Sequence, residues 1–101
     1  MTKAILFDLD GTVADTLPLC IAAFRRAVEP LSGQTLSDEA ITATFGPSEE
    51  GTIRLLVPER YDEGIEAYIR HYAALHDLCP EPFDGIREVI LDLCARGIPV
   101  A

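Results

Sequence analysis

The sequence predicts an α/β fold of doubly wound type, present only as its first strand, a returning helix and the start of a second strand, with an all-helical block inserted between them. Three features of the sequence predict it. Ala4-Ile5-Leu6-Phe7 is an unbroken apolar run that ends on Asp8-Leu9-Asp10-Gly11-Thr12. From about residue 15 to 80 apolar residues recur at helical spacing. Ile98-Pro99-Val100-Ala101 then follows a helix and a glycine stop.

The run at 4–7 lacks polar alternation, which suits a strand buried on both faces of a parallel sheet. Gly11 ends it, because glycine accepts a turn that other residues resist. Leu17, Ile21, Phe24 and Val28 share one helical face. Asp15 or Thr16 can cap that helix, Pro18 is tolerated in its first turn, and Pro30 and Gly33 close it. Ser37 caps a short helix expected to end at Gly46, and Ser48 caps another running to Pro58. A longer pattern over about 62–77 has Ile65, Tyr68, Ile69, Tyr72 and Leu75 as its apolar stripe. Cys79-Pro80-Glu81-Pro82-Phe83 is a proline-stiffened linker. Asp84 is expected to cap a last helix, with Ile86, Val89, Ile90 and Leu93 facing inward, Arg96 in its final turn and Gly97 as its stop. One strand and the beginning of another leave edges that a sheet must pair. The expectation is that the natural protein continues past Ala101, or that this chain folds with a partner.

Composition bounds the function. The chain has 101 residues, 49% of them hydrophobic, and a formal charge of −9. Such a surface repels the nucleic-acid backbone and anionic lipid, so neither a nucleic-acid nor a membrane partner is expected. A small anionic substrate stays open, because a bound cation reverses the local field. Cys20, Cys79 and Cys94 are odd in number and widely spaced, which fits reduced thiols and a cytoplasmic protein. The N-terminal apolar run is too short for a signal-peptide core or a membrane span.

Asp8 and Asp10 stand one residue apart at the end of a strand, where alternation turns both to one side. Ligands of open α/β sheets bind beyond the carboxyl ends of the strands. Paired carboxylates invite a hard cation, and Mg²⁺ commonly binds one or two carboxylates together with substrate phosphate oxygens. One acid can attack a phosphoryl group while the other protonates the leaving oxygen and later deprotonates water. Asp-Gly is also a common turn dipeptide. The full string from Phe7 to Val13, directly after an apolar strand, favours the chemical reading over that of a plain turn.

Phe7-Asp8-Leu9-Asp10-Gly11-Thr12-Val13-Ala14-Asp15-Thr16 resembles the first motif of the haloacid-dehalogenase superfamily, D-x-D-G-T after a strand. The helical block after it resembles the subgroup with a helical cap, to which phosphoglycolate phosphatases and β-phosphoglucomutases belong. Phe83-Asp84-Gly85-Ile86 resembles the re-entry from cap to core, and Cys94 to Val100 the lead-in to the second strand. The resemblance implies core at residues 1–14, cap at 15–80 and return to the core at 81–101. It implies Asp8 as nucleophile, Asp10 as general acid/base, Mg²⁺ held by the Asp8 carboxylate and the Asp10 backbone carbonyl, and a phosphate pocket shaped by Leu9, Gly11 and Thr12. The family's Ser/Thr, Lys/Arg and acidic-pair motifs come later in its pattern than Ala101, and the one lysine here is Lys3.

The implied activity is Mg²⁺-dependent hydrolysis of a small phosphorylated metabolite, phosphoglycolate first. A sugar-phosphate mutase and a non-catalytic binding chain are the alternatives, and the oligomeric state is left open. Gly46-Pro47-Ser48 matches either a cap loop facing substrate or a helix stop and new cap. Arg25, Arg26 and Arg54 read as exposed helix arginines rather than partners of a substrate carboxylate. His71 and His76 are five apart, do not share a helical face, and with Cys79 make a poor metal set.

Overall fold

The computed structural model describes residues 2–46 and 48–101. They form two compact units. One is Pro18–Leu78; the other joins the segment up to Leu17 to Cys79–Ala101.

Pro18–Leu78 is helical. Helix α1, Leu17–Ser32, begins at the unit's edge and buries Leu19, Cys20, Ala23, Phe24, Ala27 and Val28. Phe24 and Val28 lie inside as expected, whereas Ile21 is half-buried and Leu17 is exposed. Pro30 does not close the helix but sits inside its last turn. The missing N–H there costs one intrahelical bond near an end that frays anyway. The stop is Gly33, at φ 72°, whose N–H donates to the Glu29 carbonyl at 2.9 Å. Only glycine takes that conformation without a Cβ penalty.

Helix α2, Asp38–Thr42, is capped by Ser37, whose Oγ accepts from the Ala40 N–H at 3.1 Å. It ends before Gly46, in turns closed by Thr44 N–H to Ile41 and Phe45 N–H to Thr42. Helix α3, Glu49–Leu56, is capped by Ser48, which accepts from the Gly51 N–H at 3.2 Å. A short 3₁₀ turn, Pro58–Arg60, leads into α4, Tyr61–Ala74, and another, His76–Leu78, follows it.

The core of this unit joins Cys20, Ala23, Phe24, Ala27 and Val28 to Ile41, Ile53, Val57 and Tyr68. Tyr68 stacks on Phe24 with ring centroids 4.2 Å apart, and Phe45 tilts against Phe24 at 5.6 Å. The α4 stripe is narrower than its sequence implies. Tyr68 is buried, but Ile69 is 62% exposed, because residues one apart on a helix are about 100° apart in direction.

Gly64 marks the close approach of α4 to α3. A Cβ there would lie 2.7 Å from Ile53 Cγ2 and 3.0 Å from Val57 Cγ2, both on buried side chains. Gly64→Val is expected to destabilise this unit by about 2 kcal/mol through overpacking. Gly51→Ala, whose Cβ would make an ordinary 3.6 Å contact with Ser48 Oγ, is expected to stabilise it by up to about 1 kcal/mol. Urea midpoints of the two variants check both signs.

His71 on α4 supplies a pH dependence. Burial, and then the charges of Arg70 and Arg26, hold its imidazolium below the ordinary value of 6.5. The unfolded chain therefore binds the proton at higher pH than the folded one. Stability from this group is fully present above about pH 6.5 and falls as the pH drops from there through the folded value. His71→Gln is expected to flatten the urea midpoint measured from about pH 7.5 to pH 5.

The other unit holds α5, Ile86–Ala95. Its N-cap is Gly85 at φ 86°, and Asp84 makes no capping bond. At the C-terminus Gly97 stands at the expected stop, but the helix ends at Ala95 and Arg96 is its C-cap rather than part of the last turn. Arg96 pairs with Asp92 at 3.0 Å, and Gly97 takes φ 73°. None of the α5 residues is buried, and Val89, expected to face inward, is exposed.

The two predicted strand segments meet as one parallel bridge, Ile5 to Val100. The Ile5 N–H donates to Pro99 at 3.0 Å, the Ala101 N–H to Ile5 at 3.1 Å, and the Phe7 N–H to Ala101 at 2.7 Å. That is parallel pairing in register, too brief to count as a full strand. The Leu6 N–H and carbonyl, on the other edge, have no backbone partner among the described residues, and its side chain is 81% exposed.

Candidate active site

The candidate site begins where the bridged segment runs out. Phe7 still pairs with Ala101, and the chain then turns through Leu9-Asp10-Gly11-Thr12. The Leu9 carbonyl accepts from the Thr12, Val13 and Ala14 N–H groups at 3.2, 3.0 and 3.3 Å. The Gly11 N–H donates to the Ala14 carbonyl at 2.9 Å, and Gly11 has φ 75°. A side chain at position 11 would be strained in that left-handed conformation. The Phe83 N–H donates to the Val13 carbonyl at 2.9 Å, which ties the returning segment to this loop.

This bonding leaves a defined set of polar groups unengaged. Asp8 and Asp10 are both exposed. Among the described residues Asp8 makes no hydrogen bond or ion pair, the Asp10 carbonyl accepts none, and the N–H groups of Leu9 and Asp10 donate none. The N–H groups of Gly11 and Thr12 are held inside the turn, so at these positions the loop offers the Thr12 hydroxyl, which has no described partner.

Asp10 is held by a residue that the sequence reading assigned to another task. Thr16, buried at 5% exposure, donates its hydroxyl hydrogen to Asp10 Oδ1. The sequence offers Asp15 or Thr16 as the cap of α1; among the described residues neither side chain makes a capping bond. No local rule pairs a residue with one six positions on. The available signal was a hydroxyl in a segment that the Asp-Gly turn folds back.

The donor set can be tested against the implied metal. Mg²⁺ takes oxygen ligands, often one or two carboxylates with the rest from water and phosphate. The Asp8 carboxylate and the Asp10 carbonyl are hard oxygens without another partner among the described residues, and they fit that partial set. No group of three or more His, Cys, Asp or Glu able to hold a metal occurs among the described residues.

The other candidates lie in the helical unit. Arg25 pairs with Glu29 at 3.7 Å and with Asp38, and its Nε donates to the Leu36 carbonyl at 3.3 Å. The Arg54 guanidinium lies 4.3 Å from the centroid of the Tyr61 ring. Both arginines brace the helices. Gly46 is exposed with open space where a Cβ would stand, Pro47 lies outside the described residues, and the Ser48 hydroxyl is the α3 cap. Cys20 is buried, Cys79 half-buried and Cys94 exposed, and none of the three is in a disulfide. No helix among the described residues is long and apolar enough to cross a membrane.

The model of the haloacid dehalogenase-like hydrolases matches residues 5–101, and this chain belongs to that family. Its relatives include the pyrophosphatase PpaX of Halalkalibacterium halodurans, 32% identical over 99 residues, which cover 98% of this chain and 46% of that protein. The tyrosine-protein kinase PtkA of Mycobacterium tuberculosis is 31% identical over 100 residues, covering 98% of this chain and 34% of the kinase. The solved structure of M. tuberculosis protein tyrosine kinase A superposes with a TM-score of 0.76 at 31% identity, over 98% of this chain and 46% of that one. A putative phosphatase from Clostridium difficile shares the fold at a TM-score of 0.69 and 19% identity, over 98% of this chain and 47% of that one. The chain thus spans about half the length of the pyrophosphatases it matches.

Proposed function

We propose that this chain carries the nucleophile-bearing part of a Mg²⁺-dependent phosphatase that hydrolyses a small phosphate monoester through an aspartyl-phosphate on Asp8. The observation that carries this reading is the Asp8-to-Thr12 turn, which follows the parallel-bridged segment at once and leaves the Asp8 carboxylate without a partner among the described residues. Segments up to residue 14 and from 81 onward are read as core, and 15–80 as cap.

In the first half-reaction an Asp8 oxygen attacks phosphorus and the bond to the leaving oxygen breaks. Asp10, protonated, gives its proton to that oxygen, since an alkoxide leaves poorly. In the second, the Asp10 carboxylate takes a proton from water. The water oxygen attacks phosphorus, phosphate departs and the Asp8 carboxylate is restored. The Thr16 hydroxyl fixes Asp10 Oδ1 and leaves Oδ2 to move the proton. The N–H groups of Leu9 and Asp10 and the Thr12 hydroxyl, which have no partner among the described residues, would donate to phosphoryl oxygens, with Gly11 letting the backbone come close. Mg²⁺, held by the Asp8 carboxylate and the Asp10 carbonyl, would neutralise charge on the transferring group.

Phosphoglycolate is the first substrate to test, by the likeness of the helical block to that subgroup. Pyrophosphate is the second, favoured by the relatives named as pyrophosphatases. The test is Mg²⁺-dependent phosphate release from phosphoglycolate, hexose phosphates and pyrophosphate, together with acid quenching after labelled substrate. The expected product of the quench is a hydroxylamine-labile label on Asp8. Phosphate release with no such label, or a label elsewhere, would overturn the reading.

Thr16 gives a finer test. Thr16→Val removes the bond to Asp10 at nearly constant volume and is expected to lower kcat by roughly tenfold to a hundredfold with little change in KM. Thr16→Ser is expected to retain most of the rate. Steady-state kinetics of the pair separate a lost hydroxyl from a packing defect.

A further inference from the structure

We propose that the pocket lined by Glu49 at the start of α3 and by one face of α4 binds a small organic cation, a substituted ammonium. It is an open groove of about 430 Å³, lined by Glu49, Tyr68, Ile69, Tyr72, Ala73 and His76, all within the helical unit. That volume falls within the roughly 300–1,000 Å³ of small-molecule sites.

Two independent features select the charge of the ligand. The first is a wall of rings. Tyr68 and Tyr72 stand 5.7 Å apart at 47°, and Tyr72 meets His76 edge-on at 5.6 Å and 74°. Aromatic faces are electron-rich and attract cations, above all alkylated ammonium groups whose methyls also bury apolar surface. Ile69 and Ala73 extend the apolar lining.

The second feature is Glu49. Its carboxylate makes no ion pair among the described residues, and no Lys or Arg lines the pocket. The α3 N-terminus favours a carboxylate at this position, but it supplies no counter-charge over the rings. A formal charge of −9 adds long-range attraction for cations. An anion meets a carboxylate and ring faces; a cation meets both with favourable sign.

The test is an NMR titration of the 101-residue chain with choline chloride and, separately, with choline's uncharged isostere, in which carbon replaces the ammonium nitrogen. The expected result is saturable movement of the Tyr72 and His76 ring signals in the millimolar range, with choline bound about tenfold more tightly than the isostere. Glu49→Gln is expected to weaken choline about fivefold and to leave the isostere unchanged. Tyr72→Leu, which keeps the apolar bulk and removes the ring, is expected to weaken choline similarly. Equal affinity for the two ligands, choline binding indifferent to Glu49→Gln, or ring signals that do not move would each overturn the proposal. Should Tyr72→Leu unfold the helices, Glu49→Gln decides alone, because it alters an exposed side chain.

Discussion

Asp8→Asn is expected to abolish phosphate release, by about a thousandfold or more, and to leave the helical content unchanged. The amide has nearly the shape of the carboxylate but is a far weaker nucleophile, and it forms no stable acyl-phosphate. Asp8 has no hydrogen bond or ion pair among the described residues, so the change removes no contact that supports the fold. Asp10→Asn is expected to separate the two half-reactions. With a substrate whose leaving group needs no proton, labelling of Asp8 continues, but water is no longer deprotonated and the label accumulates. Quench experiments on both variants check this. Labelling that persists in Asp8→Asn would remove Asp8 from the mechanism. A label that turns over at the wild-type rate in Asp10→Asn would remove Asp10.

The largest expected effect on stability is at Phe24. Its side chain is 2% exposed, stacked on Tyr68 and packed against Phe45. Phe24→Ala is expected to cost about 3–5 kcal/mol, as transfer of the ring to water plus the cavity left behind. Small domains hold only about 5–15 kcal/mol in total, so a large share of the helical unit's stability is at stake. Ile69→Ala, one helix away but exposed, is expected to stay within about 0.5 kcal/mol of wild type. Urea unfolding followed by circular dichroism compares them, and similar midpoints for the two variants would contradict the packing assigned to Phe24.

What the sequence disclosed was local. Ser37 and Ser48 cap helices as read, because a cap is settled by a residue and the N–H three positions on. Gly11, Gly33 and Gly97 take positive φ where a turn or stop was expected. The D-x-D-G-T turn was legible for the same reason, as a short string with its own geometry. The failures arose where a second element decides. Periodicity placed Tyr68 and Ile69 in one stripe, but packing against the core, with Phe24 on α1 stacked on Tyr68, decides which of them is covered. Val89 was assigned inward on α5 with no neighbour to assign it to. Thr16 was read as a cap because capping is a sequence-local rule, and its bond to Asp10 depends on the turn between them. Pro30 was read as a stop, although one lost bond in a last turn is tolerated.

The two compact units differ in how the chain supplies them. Pro18–Leu78 is one uninterrupted stretch, whereas the segments that meet at Ile5 and Val100 are separated by all of it. Closing a long loop costs entropy before any contact compensates it, and contacts between distant residues slow folding. The helical unit is therefore expected to collapse first, and its formation shortens the effective loop for the other unit. The Asp8–Thr12 turn can form early by itself. The parallel pairing that leads into it is expected to be among the last structure gained on folding and the first lost to local opening, so that amide exchange at Phe7 and Ala101 outpaces that at Ala27 or Val28.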